Sequence, residues 1–95
     1  MDNTNAIPLS GRRELKDQIR WIVQDNAGLR LPPDQLQDAT DLYRAGMTSY
    51  SSVQLMISLE NELGLEFPDA MLSRDVFESI DAITAAVESL FHAKP

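Results

Sequence analysis

The residues best placed to do chemistry in this chain are Gly46-Met47-Thr48-Ser49-Tyr50, a short polar step with a hydroxyl at the start of an apolar segment. Self-contained catalysis finds little else to work with. His92 is the only histidine, it stands three residues from the last one given, and there is no cysteine. A nucleophilic serine needs a base oriented by a third group, and no such set is in view. Zinc lacks its usual Cys and His ligands. Asp34, Asp38 and Asp41 are near one another, but no glycine and no terminal glutamate complete a calcium loop, so they read as ordinary loop acids. Phosphate-binding glycine loops are missing. Ser49 is therefore a hydroxyl that reacts only when another protein activates it. A serine at a helix start suits modification in trans, because first-turn amides and the helix dipole favour an attached phosphodiester. The competing reading is that Ser49 or Thr48 simply caps the helix, a common duty for both residue types.

The elements that position this hydroxyl are legible from hydrophobic spacing. Leu15, Ile19, Ile22 and Val23 predict an amphipathic helix over about residues 12–26, with Trp21 closing the edge of its stripe. Ser10 is a candidate cap, although Arg13 stands where a capping-box acid is preferred. Gly28 is suited to the left-handed stop. Residues 28–48 form a long connection, broken by Pro32-Pro33 and pinned by Leu29, Leu31, Leu36, Leu42 and Tyr43, with one helical turn at Pro33–Leu36. The second helix runs from Ser49 to Leu63 and stops at Gly64. It carries two apolar stripes: Leu55, Met56, Leu59 and Leu63, with Ser52, and on another side Tyr50, Val53 and Ile57, with Gln54 between. The first stripe is assigned to the core and the second to recognition. Asp69–Leu72 predicts a short helix capped by Asp69, Phe77 enters the core, and Ser79 caps a last helix carrying Ile80, Ile83, Val87 and Leu90. The expectation is an all-α bundle of three main helices plus one short helix, with a long first loop. A flexible arm over residues 1–10, a domain over 11–91 and a frayed end over 92–95 complete the reading.

Composition narrows the partners. Ninety-five residues make one small domain, and 43% hydrophobic content is too high for disorder. The net charge of −7 is uneven: residues 1–30 sum to +1 and residues 31–95 to −8. That acidity disfavours nucleic acid and anionic lipid and suits a basic protein partner or plain solubility. No apolar run is long enough for a membrane span, and residues 1–5 do not resemble a secretory signal. With no cysteine, a cytoplasmic protein is expected.

About residues 15–90 resemble the acyl carrier protein family, which includes peptidyl and aminoacyl carriers. Gly46, Ser49, Val53, Leu55, Leu59, Glu60, Gly64 and Phe67-Pro68 fall where that family places its signature, and Phe77, Ser79, Ile80 and Ile83 match its entry to the last helix. The resemblance implies a bundle of the acyl-carrier type and a protein that is not an enzyme. It makes Ser49 the attachment point of 4′-phosphopantetheine, delivered from coenzyme A by a phosphopantetheinyl transferase. Met47, Thr48, Tyr50, Val53, Gln54, Ile57 and Met71 become the surface that partners touch. Three departures stand out: Thr48 replaces the usual Asp, Tyr50 the usual Leu or Ile, and Gln54 the Glu common in fatty-acid carriers. The front of the second helix is thereby neutral until Glu60, which argues against a housekeeping fatty-acid carrier. The Thr-Ser-aromatic variant followed by Ser-Val-Gln-Leu-Met is most similar to stand-alone aminoacyl carrier proteins. Those are charged by amino acid:carrier protein ligases that resemble the core of class II aminoacyl-tRNA synthetases, and they pass their cargo to a downstream acyl-transfer enzyme. A fatty-acyl or polyketide-type carrier and an unmodified helical interaction module are the alternatives.

Overall fold

A computed structural model describes residues 9–92. Three α-helices follow one another: α1 (Leu9–Asn26), α2 (Ser49–Leu63) and α3 (Ile80–His92). One 3-10 turn, Pro33–Gln35, interrupts the long first connection, and two more, Asp69–Met71 and Arg74–Phe77, join α2 to α3. The described residues contain no strand. The segments 1–8 and 93–95, which hold most of the expected arm and frayed end, lie outside the described residues.

The core forms where the apolar stripes meet. Ile19 and Val23 of α1, Leu55 and Leu59 of α2, and Ile80, Ile83 and Val87 of α3 are fully buried. Phe67 and Phe77 close one end edge-to-face, with ring centroids 5.2 Å apart, a geometry that brings the positive edge of one ring to the negative face of the other. The bonds that cap the helices are local. Gly28 and Gly64 both adopt positive φ, at 69° and 66°, just beyond the ends of α1 and α2, which only glycine does without steric cost. The Ser79 hydroxyl accepts from the Ala82 amide at 3.0 Å and caps α3 as expected.

The long connection is pinned twice over. Leu36 and Leu42 are buried, and Leu29, Leu31 and Tyr43 pack against the same core. Backbone bonds then tie the loop to the start of α3: the Leu42 amide donates to Glu78 O at 2.8 Å, and the Asp81 amide donates to Asp38 O at 3.0 Å. Side chains of α1 reach the same place. Lys16 lies 2.9 Å from Asp81 and 3.5 Å from Asp38, and Arg20 pairs with Asp38 and donates to the Leu36 carbonyl. The hydrogen bond to Asp81 is the main reason the Lys16 ammonium is held above the ordinary lysine range.

Four expectations are corrected. The first helix begins at Leu9, so Ser10 lies inside it instead of capping it; extending an established helix by a turn costs far less than starting one. Trp21 does not close the core stripe but is 67% exposed. It sits one residue from Ile22 and two from Ile19 and Val23, which turns it about 100–200° away from them. The stretch after Pro68 is two 3-10 turns in place of one short helix, and Asp69 is the first residue of its turn with no side-chain capping bond; Pro68 occupies the cap position. His92 belongs to the last turn of α3 instead of lying beyond it.

Candidate functional site

Ser49 is the first residue of α2, and the residue before it does the capping. Thr48 is extended, with φ −102° and ψ 171°. Its hydroxyl oxygen accepts from the Ser51 amide at 3.0 Å. The Ser51 hydroxyl in turn accepts from the Thr48 amide at 2.8 Å. This reciprocal pair is a capping box in which serine takes the role usually filled by Glu or Gln. The question the sequence leaves open is thereby answered: the cap is Thr48, and Ser49 is spared that duty. The Ser49 side chain is exposed, and its hydroxyl has no hydrogen-bond partner among the described residues; its backbone carbonyl accepts from the Ser52 hydroxyl at 2.7 Å. The Ser49 and Tyr50 amides lie in the first turn, where an α-helix offers them no acceptor, beside the positive end of the helix dipole.

The approach to Ser49 is built to hold still. Gly46 has φ +125°, and a Cβ there would meet Arg30 Cγ at 3.0 Å and the Arg30 amide nitrogen and Gly28 O at 3.2 Å. The Arg30 amide donates to Ala45 O at 2.8 Å, and the Met47 amide to Leu42 O at 2.9 Å. Gly46 is therefore fixed by contact between the loop and residues 28–30. Met47 is a correction: expected on the partner surface, it is only 4% exposed. Its side chain plugs the core behind the loop, so it anchors Ser49 from the inside. Met71 is half-buried against the same core. Thr48, Tyr50, Val53, Gln54 and Ile57 are exposed, with Tyr50 at 75%, Val53 at 49% and Ile57 at 43%. Glu60, the first acid of α2, accepts from the Phe67 amide at 3.0 Å and thus serves the turn after the helix.

An open groove of about 330 Å³ begins at Ser49 and runs between α2 and the 3-10 turns. Val53, Met56, Leu72 and Phe77 line it with apolar surface, Ser52 and Ser73 add hydroxyls, and Tyr43 and Arg74 stand together in its wall. Tyr43, Leu72 and Arg74 were not found from sequence. Tyr43 reads there only as a loop pin, and nothing in the spacing of Arg74 indicates that it lines the same groove as Ser49. No group of three or more His, Cys, Asp or Glu among the described residues is arranged to hold a metal ion. No helix among them is long and apolar enough to cross a membrane.

The site thus combines a free serine hydroxyl at a helix start, a pinned loop behind it and an exposed apolar stripe beside it. Residues 17–87 match the family described as "Phosphopantetheine attachment site", so the chain belongs to that family, whose members carry 4′-phosphopantetheine covalently. It is 42% identical over 76 residues to the aminoacyl carrier protein of Agrobacterium fabrum (strain C58), covering 80% of this chain and 92% of that one. Its fold matches the carrier protein from Agrobacterium tumefaciens in a crystal structure with an engineered Bradyrhizobium japonicum glycine:[carrier protein] ligase and ATP. That match has a TM-score of 0.74 at 42% identity, covering 78% of this chain and 96% of that chain. A solution structure of an A. tumefaciens protein matches with a TM-score of 0.65 at 40% identity, covering 81% and 93%. The chain is thus an aminoacyl carrier protein homologue.

Proposed function

We propose that Ser49 is the residue that receives 4′-phosphopantetheine and that the protein presents an aminoacyl group to partner enzymes without catalysing a reaction itself. The observation that carries this reading is the division of labour at the head of α2: Thr48 holds the cap, and the adjacent Ser49 hydroxyl is exposed and unbonded. The surroundings fit the group. The two unengaged first-turn amides suit a phosphodiester on Ser49. The groove offers apolar walls for the dimethyl segment of the arm and the Ser52 and Ser73 hydroxyls for its amides. When attached, the group supplies the thiol this chain lacks and holds the acyl cargo as a thioester. The protein's own residues supply placement: the pinned loop fixes the Ser49 oxygen, and the tether raises the local concentration of cargo at each partner.

Thr48, Tyr50, Val53, Gln54 and Ile57 form the docking surface in this reading. Its neutral, apolar character favours partners that use aromatic and aliphatic contact over those that grip an acidic helix. The relatives seen with a glycine:[carrier protein] ligase support a free-standing amino acid ligase as the charging enzyme, with a phosphopantetheinyl transferase before it and an acyl-transfer enzyme after it. A carrier that must leave one partner for the next is best served by a cytoplasmic monomer with weak, rapid docking. The test is charging. Protein loaded with phosphopantetheine is incubated with ATP, a free-standing glycine:[carrier protein] ligase and single amino acids, and intact mass is read. The expected result is a gain of one aminoacyl group that hydroxylamine removes. Loading by a fatty-acyl or malonyl transferase, with no amino acid taken from the ligase, would overturn the aminoacyl assignment.

A further inference from the structure

Arg74 is the one charged residue among those that line the groove with Ser49. Its guanidinium carbon lies 3.8 Å from the centroid of the Tyr43 ring, and both residues share the groove wall with Ser49. Cations are scarce in this part of the chain: residues 31–95 hold eleven acidic side chains and only three basic ones, Arg44, Arg74 and Lys94. Lys16 and Arg20 pair with Asp38 and Asp81, and no ion pair among the described residues involves Arg74. Stacking on a ring occupies the face of a guanidinium and leaves its in-plane N–H donors available. Those donors form the fork that matches phosphate oxygens. The rest of the lining is apolar or hydroxylic, so a ligand suited to this groove has an anionic end near Arg74 and a largely uncharged chain.

We propose that Arg74, held in place by Tyr43, is a positioning residue that pairs with the phosphodiester on Ser49 and biases the arm toward the groove. The proposal rests on Ser49 being the attachment residue. The opposing account is that Arg74 merely packs on Tyr43 to steady the 3-10 turn. The two differ in one respect: packing affects the protein equally with and without the arm, whereas pairing acts only when the arm is present.

Wild type, Arg74→Gln and Arg74→Lys are prepared with and without phosphopantetheine, each confirmed by intact mass, and compared by NMR. In the wild type, loading shifts the Arg74 side-chain N–H and the Tyr43 ring resonances, and the arm's methyl groups show cross-relaxation to Leu72 or Met56. In Arg74→Gln the grooved population falls about two- to five-fold, the range set by a solvent-exposed charge pair. Arg74→Lys retains part of it, since lysine keeps the charge and loses the fork. Raising salt on the loaded wild type releases the arm in the same way. That salt titration needs no variant and stands even if Arg74→Gln fails to fold. Arm resonances at free coenzyme A positions, insensitive to salt in the wild type and identical in the variants, would overturn the proposal. A chain that gains no mass at Ser49 overturns the carrier reading itself, an outcome distinct from an arm that attaches and ignores Arg74.

Discussion

The starts of α2 and α3 each hold a serine, and the two serines have opposite fates. Ser79 stands before its helix and its hydroxyl accepts from the Ala82 amide at 3.0 Å. Ser49 stands one position inside its helix, where Thr48 and Ser51 already satisfy each other at 3.0 and 2.8 Å. The surroundings differ in the same sense. The start of α3 is fastened to α1 and the first connection by Lys16–Asp81 and by Asp81 N to Asp38 O. The start of α2 is held from behind by buried Met47 and kept open in front. A single-residue offset from the cap position separates a hydroxyl that serves its helix from one left free. Under the proposed function, the same offset lets Ser49 take the arm on a rigid element without weakening that element.

The largest expected effect of breaking this contrast is at Ser49. Ser49→Ala should lose phosphopantetheine loading completely while its thermal or urea unfolding stays within about 0.5 kcal/mol of wild type, as for other surface substitutions that remove no cap. Gly46→Ala should come next. It forces a side chain into a backbone angle of φ +125° and into contact with the Arg30 and Gly28 backbone, at a cost of roughly 1–3 kcal/mol in urea unfolding. Loading should slow with it, because the loop behind Ser49 shifts.

The caps themselves sharpen the comparison. Thr48→Ala and Ser79→Ala should each lose about 1 kcal/mol of stability, the usual worth of an N-cap. Ser79→Ala should leave loading untouched. Thr48→Asp should keep stability, because Asp caps as well as Thr and its charge suits the helix dipole. It should be loaded at least as fast as wild type by a broad-specificity transferase.

The smallest effect lies at the α3 end and is seen through pH. The Lys16 ammonium is raised above the ordinary lysine value of 10.5, chiefly by its bond to Asp81. A raised folded-state value means that the ion pair stabilises fully below the ordinary lysine range and that its contribution disappears as pH climbs through the raised value. Melting temperature should hold steady below that range and fall above it, and Lys16→Met should remove part of the fall. The groups are solvent-exposed, so the difference should be slight.

Much of this arrangement was legible from residue types alone. The bounds of α2 at Ser49 and Leu63, the Gly64 stop and the split between a buried Leu55–Leu59 stripe and an exposed Tyr50–Val53–Ile57 stripe all follow from spacing on a helix. The pinned connection was readable from its spaced leucines, and the Ser79 cap from its place before an apolar run. What escaped depends on the path of the backbone between helices. Met47 looks like its exposed neighbours in sequence, but the turn closed by Met47 N to Leu42 O directs it inward. Trp21 has the character of a core residue and is placed by helical phase on the outside. Arg74 opens a second 3-10 turn that the spacing does not announce, and from there it stacks on Tyr43. Whether Thr48 or Ser49 caps could not be settled by propensity, since both types cap well; the Ser51 hydroxyl decides it by completing the box with Thr48.

The most direct test of the central claim is intact mass after incubation with coenzyme A and a broad-specificity phosphopantetheinyl transferase, with Ser49→Ala and Ser79→Ala in parallel. The account predicts a gain of one phosphopantetheine in wild type and in Ser79→Ala, and none in Ser49→Ala. A gain that persists in Ser49→Ala, or no gain either here or on protein purified from its own host, would contradict it.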